Sequence, residues 1–306
     1  MSRPPRHRRL AVNPLPWVLG PDGFDLSEQT LTTAMSELGP LGFTALQADV
    51  PQGWSAQRYR ALLEANGFSP APGYFGGDFA DRDALGRVVE AARRHAATQA
   101  ELGLDVCFLA HDLVPERIAA PATGVNPSTE RTLSIADGMA AAAAAAAAEG
   151  VRFALHPHVG SYVETEGETR TVLEATAGSA LAFGPDTGHL AWAGAAPERL
   201  VADHADRVVA LHLKDVDQAA AAAARADRAD YLAATTGHHV WTEPGRGSVD
   251  LTAVLAALPP GFEGWTVLEV DVPNLPTARR STQVARENLL ALPFFAVGPQ
   301  PAAVPA

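Results

Sequence analysis

A single-domain (β/α)8 barrel, the TIM-barrel form of the α/β class, is the fold this sequence predicts, and three observations carry it. Eight short apolar runs alternate with amphipathic stretches over about 290 residues, the count and size of such a barrel. The runs are almost continuously apolar, as parallel strands covered on both faces must be. Polar groups gather at the carboxyl ends of the runs and are sparse at their amino ends. An open dinucleotide-binding sheet is disfavoured, because neither Gly76-Gly77 nor Gly245-Arg246-Gly247 fits a Gly-x-Gly-x-x-Gly turn between strand and helix.

The elements follow in order. Residues 10–13 form the first strand. Residues 27–38 read as a helix, with Ser27 as cap and Leu31, Ala34, Met35 and Leu38 on one face. The second strand is 43–48. A helix over 55–65 is capped by Ser55 and stopped by Asn66-Gly67. The third strand, 68–74, is weakened by Pro70 and Pro72. Gly103 closes a long helix over 81–102, and 105–110 is the fourth strand. After a turn-rich loop, Ser128 caps a helix over 128–149 whose nine consecutive alanines favour helix and allow close packing on a sheet. Strands at 151–155, 180–183, 208–213 and 265–270 then alternate with helices at 166–175, 197–204, 249–258 and 277–292. Pro197 suits the first turn of its helix. An additional Ala-rich helix over 218–234 stands where a loop is expected, and is read as a lid or as a subunit contact in a homo-oligomer. Residues 1–9 are expected to be a flexible basic arm, 10–292 the barrel and 293–306 a flexible Pro/Ala tail.

Composition narrows the function classes. Of 306 residues 47% are hydrophobic, which supports a large core. A net charge of -12 excludes a nonspecific nucleic-acid binder, since the only basic cluster is Arg3, Arg6, Arg8 and Arg9. The single cysteine, Cys107, lies in an apolar run and reads as a buried thiol, so no disulfide framework exists within the chain. No apolar run has the length of a membrane span, and Asn13, Pro14 and Pro16 interrupt any signal-like stretch. A cytoplasmic protein with no membrane or nucleic-acid partner is expected.

The chemistry is organised by Leu155-His156-Pro157-His158-Val159-Gly160 at the end of the fifth run. His156 and His158 point to one side, because side chains alternate along a strand. Neutral imidazoles held at a strand tip are a start to a metal site. Three later tips add Asp186 and His189, then His212, Lys214 and Asp215, then Glu269 and Asp271; Asn13, Gln47 and His111 end earlier strands. A lone strand-end histidine is usually structural. Four polar tips on consecutive strands are jointly constrained by the barrel, which brings them to one face. Ordinary readings stand beside these: Arg246 in a solvated pair with Asp250, Lys214 and Asp215 at the surface, Trp17 and Trp265 in the core.

At these residues the chain resembles the xylose isomerase-like TIM-barrel superfamily of sugar phosphate isomerases and epimerases, and within it the inosose dehydratase (2-keto-myo-inositol dehydratase) branch. The matching segments are His156-Pro157-His158-Val159-Gly160 with Glu164-Thr165, Asp186-Thr187-Gly188-His189-Leu190, Asp206-Arg207-Val208, His212-Leu213-Lys214-Asp215-Val216, Glu243-Pro244-Gly245-Arg246-Gly247 and Gly264-Trp265-Thr266-Val267-Leu268-Glu269. Residues 150–271 carry the resemblance; before them only the strand-helix rhythm, Asn13 and Trp17 match. It implies one divalent metal ion, Mn or Co first and Zn or Fe(II) next, held by His156, Asp186, His212 and Glu269. His156 stands where most isomerases and epimerases have Glu. A metal-bound imidazole has no lone pair left to act as a second base, so the substitution disfavours two-carboxylate epimerisation. The resemblance therefore implies a metal-dependent lyase, dehydrating a keto-sugar or keto-inositol through an enediolate. Glu269 is then the base, with His158 as acid or outer donor and Lys214 as oxyanion donor. Asn13, Trp17, His111, His189, Glu243 and Arg246 would contact the substrate. The alternatives are a sugar isomerase or epimerase adapted to His156, and a non-catalytic sugar-binding or accessory barrel. A phosphate-cleaving relative is disfavoured by the acidic charge.

Overall fold

The computed structural model describes residues 9–20 and 23–296. Eight parallel strand positions form its ring: β1 Arg9–Val12, β2 Ala45–Gln47, β3 in two pieces, Ser69–Ala71 and Tyr74–Gly77, β4 Val106–His111, β5 Arg152–Leu155, β6 Ala182–Phe183, β7 Ala210–Leu213 and β8 Trp265–Leu268. Pairing runs β7-β8-β1-β2 to the first piece of β3, and from its second piece through β4 and β5 to β6. Between β6 and β7 the parallel bridges Phe183–Val208 and Asp186–His212 close the ring.

Strand alternation divides the core in two. Val12, Leu46, Leu109, Phe153, Leu155, Phe183, Leu211, Leu213 and Leu268 belong to the large apolar layer packed under the helices. Ala11, Ala45, Ala71, Val106, Phe108, Ala154, Ala182, Ala210 and Val267 form a separate cluster inside the barrel. The buried members of this inner layer are nearly all small, Phe108 being their one large ring, with the partly buried Tyr74 and Trp265 packed against them. Gly184 leaves space for that ring, since a Cβ there would stand 2.8 Å from Phe108 Cδ1.

The outer helices start where short polar side chains satisfy their free N–H groups. Ser27, Ser55, Ser128 and Thr277 accept from backbone N–H groups of their own first turns, and Thr165 with Glu168 forms a capping box ahead of Glu166–Ala175. Alanine, as expected, lets Thr129–Ala148 sit close: Ala136, Ala142, Ala143 and Ala146 are fully buried. Cys107 is buried, as read from the sequence.

Several boundaries differ from expectation. The third strand is not one run over 68–74. It breaks at Pro72-Gly73 and changes partner there, from β2 to β4. Gln99, fully buried on the helix Leu85–Glu101, bridges the break: its Oε1 accepts from Gly73 N–H at 3.1 Å and its Nε2 donates to the Ala48 carbonyl at 3.3 Å. That helix starts at Leu85 rather than 81, because the Asp81 carboxylate captures the N–H groups of Asp83 and Ala84 in a turn. The expected helix over 218–234 is also interrupted. It spans Gln218–Ala226, Arg228 adopts φ 53°, and a wider turn follows at Ala233–Gly237, its first N–H held by Asp230. Arg9 is the first residue of β1, paired with Trp265, rather than part of an arm; Arg3, Arg6 and Arg8 lie outside the described residues. The tail begins as a helical turn, Pro293–Ala296, with Phe294 and Phe295 packed on the core; residues 297–306 lie outside the description. No described helix is long and apolar enough to cross a membrane.

Gly73 tests the strand break. A Cβ there would overlap the Ala48 carbonyl oxygen and the Gln99 amide. Gly73→Ala is expected to cost about 1–3 kcal/mol through overpacking, read as a lower midpoint in urea or heat unfolding. An unchanged midpoint would mean that the two pieces of β3 are not held this tightly.

Candidate metal centre

The polar residues of the barrel are the next inward positions above the alanine layer. Two residues on from Ala11, Ala45, Ala154, Ala210 and Val267 stand Asn13, Gln47, His156, His212 and Glu269; Asp186 stands four on from Ala182. All six are buried. Phe108 is the platform beneath: its ring stacks on His212 at 4.1 Å and meets the edge of His156 at 5.6 Å. Asp186 doubles as the N-cap of Thr187–Trp192, its Oδ1 accepting from His189 N–H at 2.8 Å.

The four proposed ligands fall into two overlapping clusters that share Asp186. Asp186, His212 and Glu269 present ligand atoms within 4.8 Å of one another, and so do His156, Asp186 and His189. Asp186 Oδ2 is buried and takes no hydrogen bond from any described residue. It lies 4.0 Å from His156 Nε2 and 3.9 Å from His212 Nδ1. Two donors bound to one ion at about 2.1 Å are at most about 4.2 Å apart, so these atoms fit a shared divalent cation.

Hydrogen bonds settle which ring nitrogens are free. His212 Nε2 lies 2.7 Å from Gln47 Oε1, which only accepts, so Nε2 carries the proton and Nδ1 the lone pair. The 3.2 Å contact between His212 Nδ1 and His156 Nδ1 is then donated by His156, leaving His156 Nε2 as the free acceptor beside Asp186. His158 Nδ1 donates to the Val159 carbonyl at 2.8 Å, which frees its Nε2.

Burial sets the charges. It holds the His212 and His158 imidazolium pKa values down to about 4, and those of His156 and His189 well below the ordinary value, so all four rings are neutral near pH 7. Burial raises Asp186 to about 7 against the pull of Lys214. Burial also acts to raise Glu269, but the Lys214 ammonium and His212 overcome it and hold this carboxyl well below its usual range. Lys214 Nζ stands 2.7 Å from Glu269 Oε1, 2.8 Å from Asp271 Oδ1, 3.8 Å from Asp186 Oδ2 and 3.0 Å from His189 Nε2. Desolvation works against its charge, and the surrounding Asp271, Glu269 and Asp186 hold it protonated.

Above the centre lies a cavity of about 510 Å³. Asn13, Gln47, His156, His158, His212 and Glu269 line its floor; Asp49, Tyr74, His95, His111 and Asp112 line one side; Leu15, Phe24, Leu26, Val50 and Leu113 line the rest. Asn13 holds Glu269, its Nδ2 donating to Oε2 at 2.6 Å. His189 is buried under His158, ring centroids 3.7 Å apart, rather than at the cavity wall.

Other sequence-derived assignments do not reach the cavity. Trp17 donates from Nε1 to Glu37 at 3.1 Å on the outside of the barrel. Glu243 is fully buried and anchors the C-terminal side: it accepts from Ser281 Oγ at 2.5 Å and Asn274 N–H at 3.0 Å. Arg246 is exposed and pairs with Glu243 at 3.9 Å, not with Asp250. Their Gly-rich loop is organised by Asp215, a buried residue whose carboxylate accepts from the N–H groups of Gly245, Gly247 and Val249. Lys214 is also off the cavity wall, so its ammonium faces the acids rather than an oxyanion. Glu269, ion-paired with Lys214, is held well below its usual range, which weakens it as a base. Sequence reasoning missed Asp49, Tyr74 and His95 as wall residues. For Asp49 the signal was present, since Gln47-Ala48-Asp49 repeats the i, i+2 spacing of the other tips.

Comparisons with known proteins agree with this architecture. A family model described as xylose isomerase-like TIM barrel matches residues 35–292. The chain is 27% identical over 270 residues to an inosose dehydratase of Geobacillus kaustophilus (strain HTA426), covering 86% of this chain and 87% of that protein. It is 27% identical over 294 residues to the rhizopine catabolism protein MocC of Rhizobium meliloti, covering 92% of this chain and 87% of that one. Among solved structures, a sugar phosphate isomerase/epimerase from Parabacteroides distasonis ATCC 8503 superposes with a TM-score of 0.67 at 14% identity, covering 96% of this chain and 97% of the other. The IolI protein, solved with a bound zinc atom, superposes with a TM-score of 0.66 at 16% identity over 92% and 96%.

His95 gives a pH test of the cavity wall. Burial holds its pKa down to about 4, against an unfolded value of about 6.5. Above that unfolded value the ring is neutral in both states and costs nothing. As pH falls toward 4 the unfolded chain takes up a proton that the native ring refuses, so stability drops by up to about 1.4 kcal/mol per pH unit. Urea titrations between pH 7 and 4.5 should show a shallower decline for His95→Gln than for the parent. Parallel declines would place His95 in water.

Proposed function

Because the chain belongs to the xylose isomerase-like TIM barrel family, we propose that it is a divalent-metal-dependent dehydratase acting on a keto-sugar or keto-inositol. The observation that carries this reading is the buried Asp186 Oδ2, which takes no hydrogen bond from a described residue and lies about 4 Å from His156 Nε2 and from His212 Nδ1, with Glu269 clustered beside His212. Two acids and two imidazoles suit an ion of borderline softness such as Mn, Co, Zn or Fe(II). When bound, such an ion supplies Lewis acidity to a substrate carbonyl and its neighbouring hydroxyl.

The chain's own groups supply the rest. Asn13 and Lys214 fix the Glu269 carboxylate and keep it ionised. His158 is the partly exposed imidazole of the floor with a free Nε2, and it takes the proton from the carbon next to the carbonyl. The same imidazolium returns that proton to the departing hydroxyl on the adjacent carbon. A C–H and a C–O bond break, a C=C bond forms, and one water leaves. His156, held as a ligand, leaves no second base across the site, which favours elimination over epimerisation. Relatives named inosose dehydratase, similar over most of their length, support the same substrate class.

Elemental analysis of protein purified without chelators, followed by a screen of keto-inositols and keto-sugars, tests the reading. Asp186→Asn keeps the helix cap and is expected to lose the metal. His158→Gln should keep the metal and lose about 10²–10⁴-fold in kcat. Full activity of His158→Gln would exclude it as the base. Uptake of deuterium from solvent without loss of water would replace the dehydratase by an isomerase or epimerase.

A further inference from the structure

We propose that Asp49, through Gln47, dictates which nitrogen of His212 is free to bind the cation. The inference rests on the metal-centre reading above and concerns residues that never touch the ion. Asp49 stands at the tip of β2 two residues past Gln47, on the cavity wall. Its carboxylate takes a hydrogen bond from the Gln47 side chain. A carboxylate only accepts, so the amide end facing it is the NH₂ group. The amide oxygen is thereby turned to His212, where it lies 2.7 Å from Nε2. An amide oxygen accepts only, so His212 carries its proton on Nε2 and its lone pair on Nδ1, 3.9 Å from the unpartnered Asp186 oxygen.

Among the described residues Gln47 is the nearest group that makes this choice. Phe108 lies against the face of His212 and is indifferent to where the proton sits. His156 Nδ1, 3.2 Å away, can donate or accept, and so follows whatever His212 does. Glu269 Oε2, 3.5 Å from Nε2, favours the same tautomer but lies farther away than the Gln47 oxygen and holds its closer bond from Asn13, at 2.6 Å. Without Asp49 the Gln47 amide is free to turn over and present NH₂ to His212. The proton would then move to Nδ1 and block the ligand lone pair. Asp49 and Gln47 are positioning residues: outer groups of this kind typically change metal affinity by about 10–100-fold.

Two readouts on the full-length protein test this. Long-range ¹H–¹⁵N NMR of the histidine rings in metal-free protein reports the His212 tautomer directly. Competition against a chromophoric chelator reports Co(II) affinity. The parent should show His212 protonated on Nε2. Asp49→Asn and Gln47→Leu should populate the Nδ1–H form and weaken Co(II) by about 10–100-fold. In Gln47→Glu/Asp49→Asn the residue facing Nε2 can only accept, so both tautomer and affinity should return toward the parent. Unchanged tautomer and affinity in Asp49→Asn, with binding abolished in Asp186→Asn, would overturn the relay and leave the metal centre standing. If Asp186→Asn binds Co(II) as the parent does, the metal centre itself is wrong, and the tautomer shift still decides whether Asp49 controls His212.

Discussion

The narrow inner layer of the barrel is the constraint on which the site depends. Alanines at the inward positions of β1, β2, β5, β6 and β7 let the strands close around the Phe108 ring, with Tyr74 packed beside it. Because inward positions recur every second residue, the next layer is set at a single height, and that layer is polar. His156 and His212 rest on the Phe108 ring, and Gly184 is small because the ring needs its space. A bulkier inner layer would spread the strands and separate donors that now lie about 4 Å apart.

Desolvation then divides the work among the groups. It keeps the histidines neutral, which is the state a cation needs. It pushes the carboxyls toward their neutral forms as well: Asp186 and Asp271 stay raised, and only Glu269 is held below its usual range, by Lys214 and His212. The ammonium favours the ionised form of Glu269 most strongly, at 2.7 Å, and of Asp186 less, at 3.8 Å. Similar carboxylates at the tips of β6 and β8 therefore differ in character, because one is closely paired with Lys214 and the other has an oxygen that takes no hydrogen bond from a described residue.

Much of this was legible in the sequence, for a physical reason. The apolar runs mark the strands, and period 2 carries the eye from the last inward small residues, Ala154, Ala210 and Val267, to His156, His212 and Glu269. Helix starts were legible because Ser27, Ser55 and Ser128 declare themselves chemically. Other features depended on contacts that no local pattern shows. The break at Gly73 is held by Gln99, twenty-six residues away. The stop after Ala226 is absent from the alanine run, whose propensity favours continuing the helix. Glu243 and Arg246 resembled a sugar grip because a Gly-rich loop with charges has that composition; the glycines instead admit the Asp215 carboxylate, and Ser281 and Asn274 claim Glu243. Asp49 was overlooked because it lies one residue beyond the expected end of the second strand.

The position of Lys214 bears on how such a protein matures. Small zinc domains wait for their ion, since nothing else offsets the mutual repulsion of their ligands. Here a lysine from β7's own tip sits among Asp186, Glu269 and Asp271 as an internal counter-ion. The burial of these carboxyls is thus offset from within the chain, by a cation that the polypeptide itself carries.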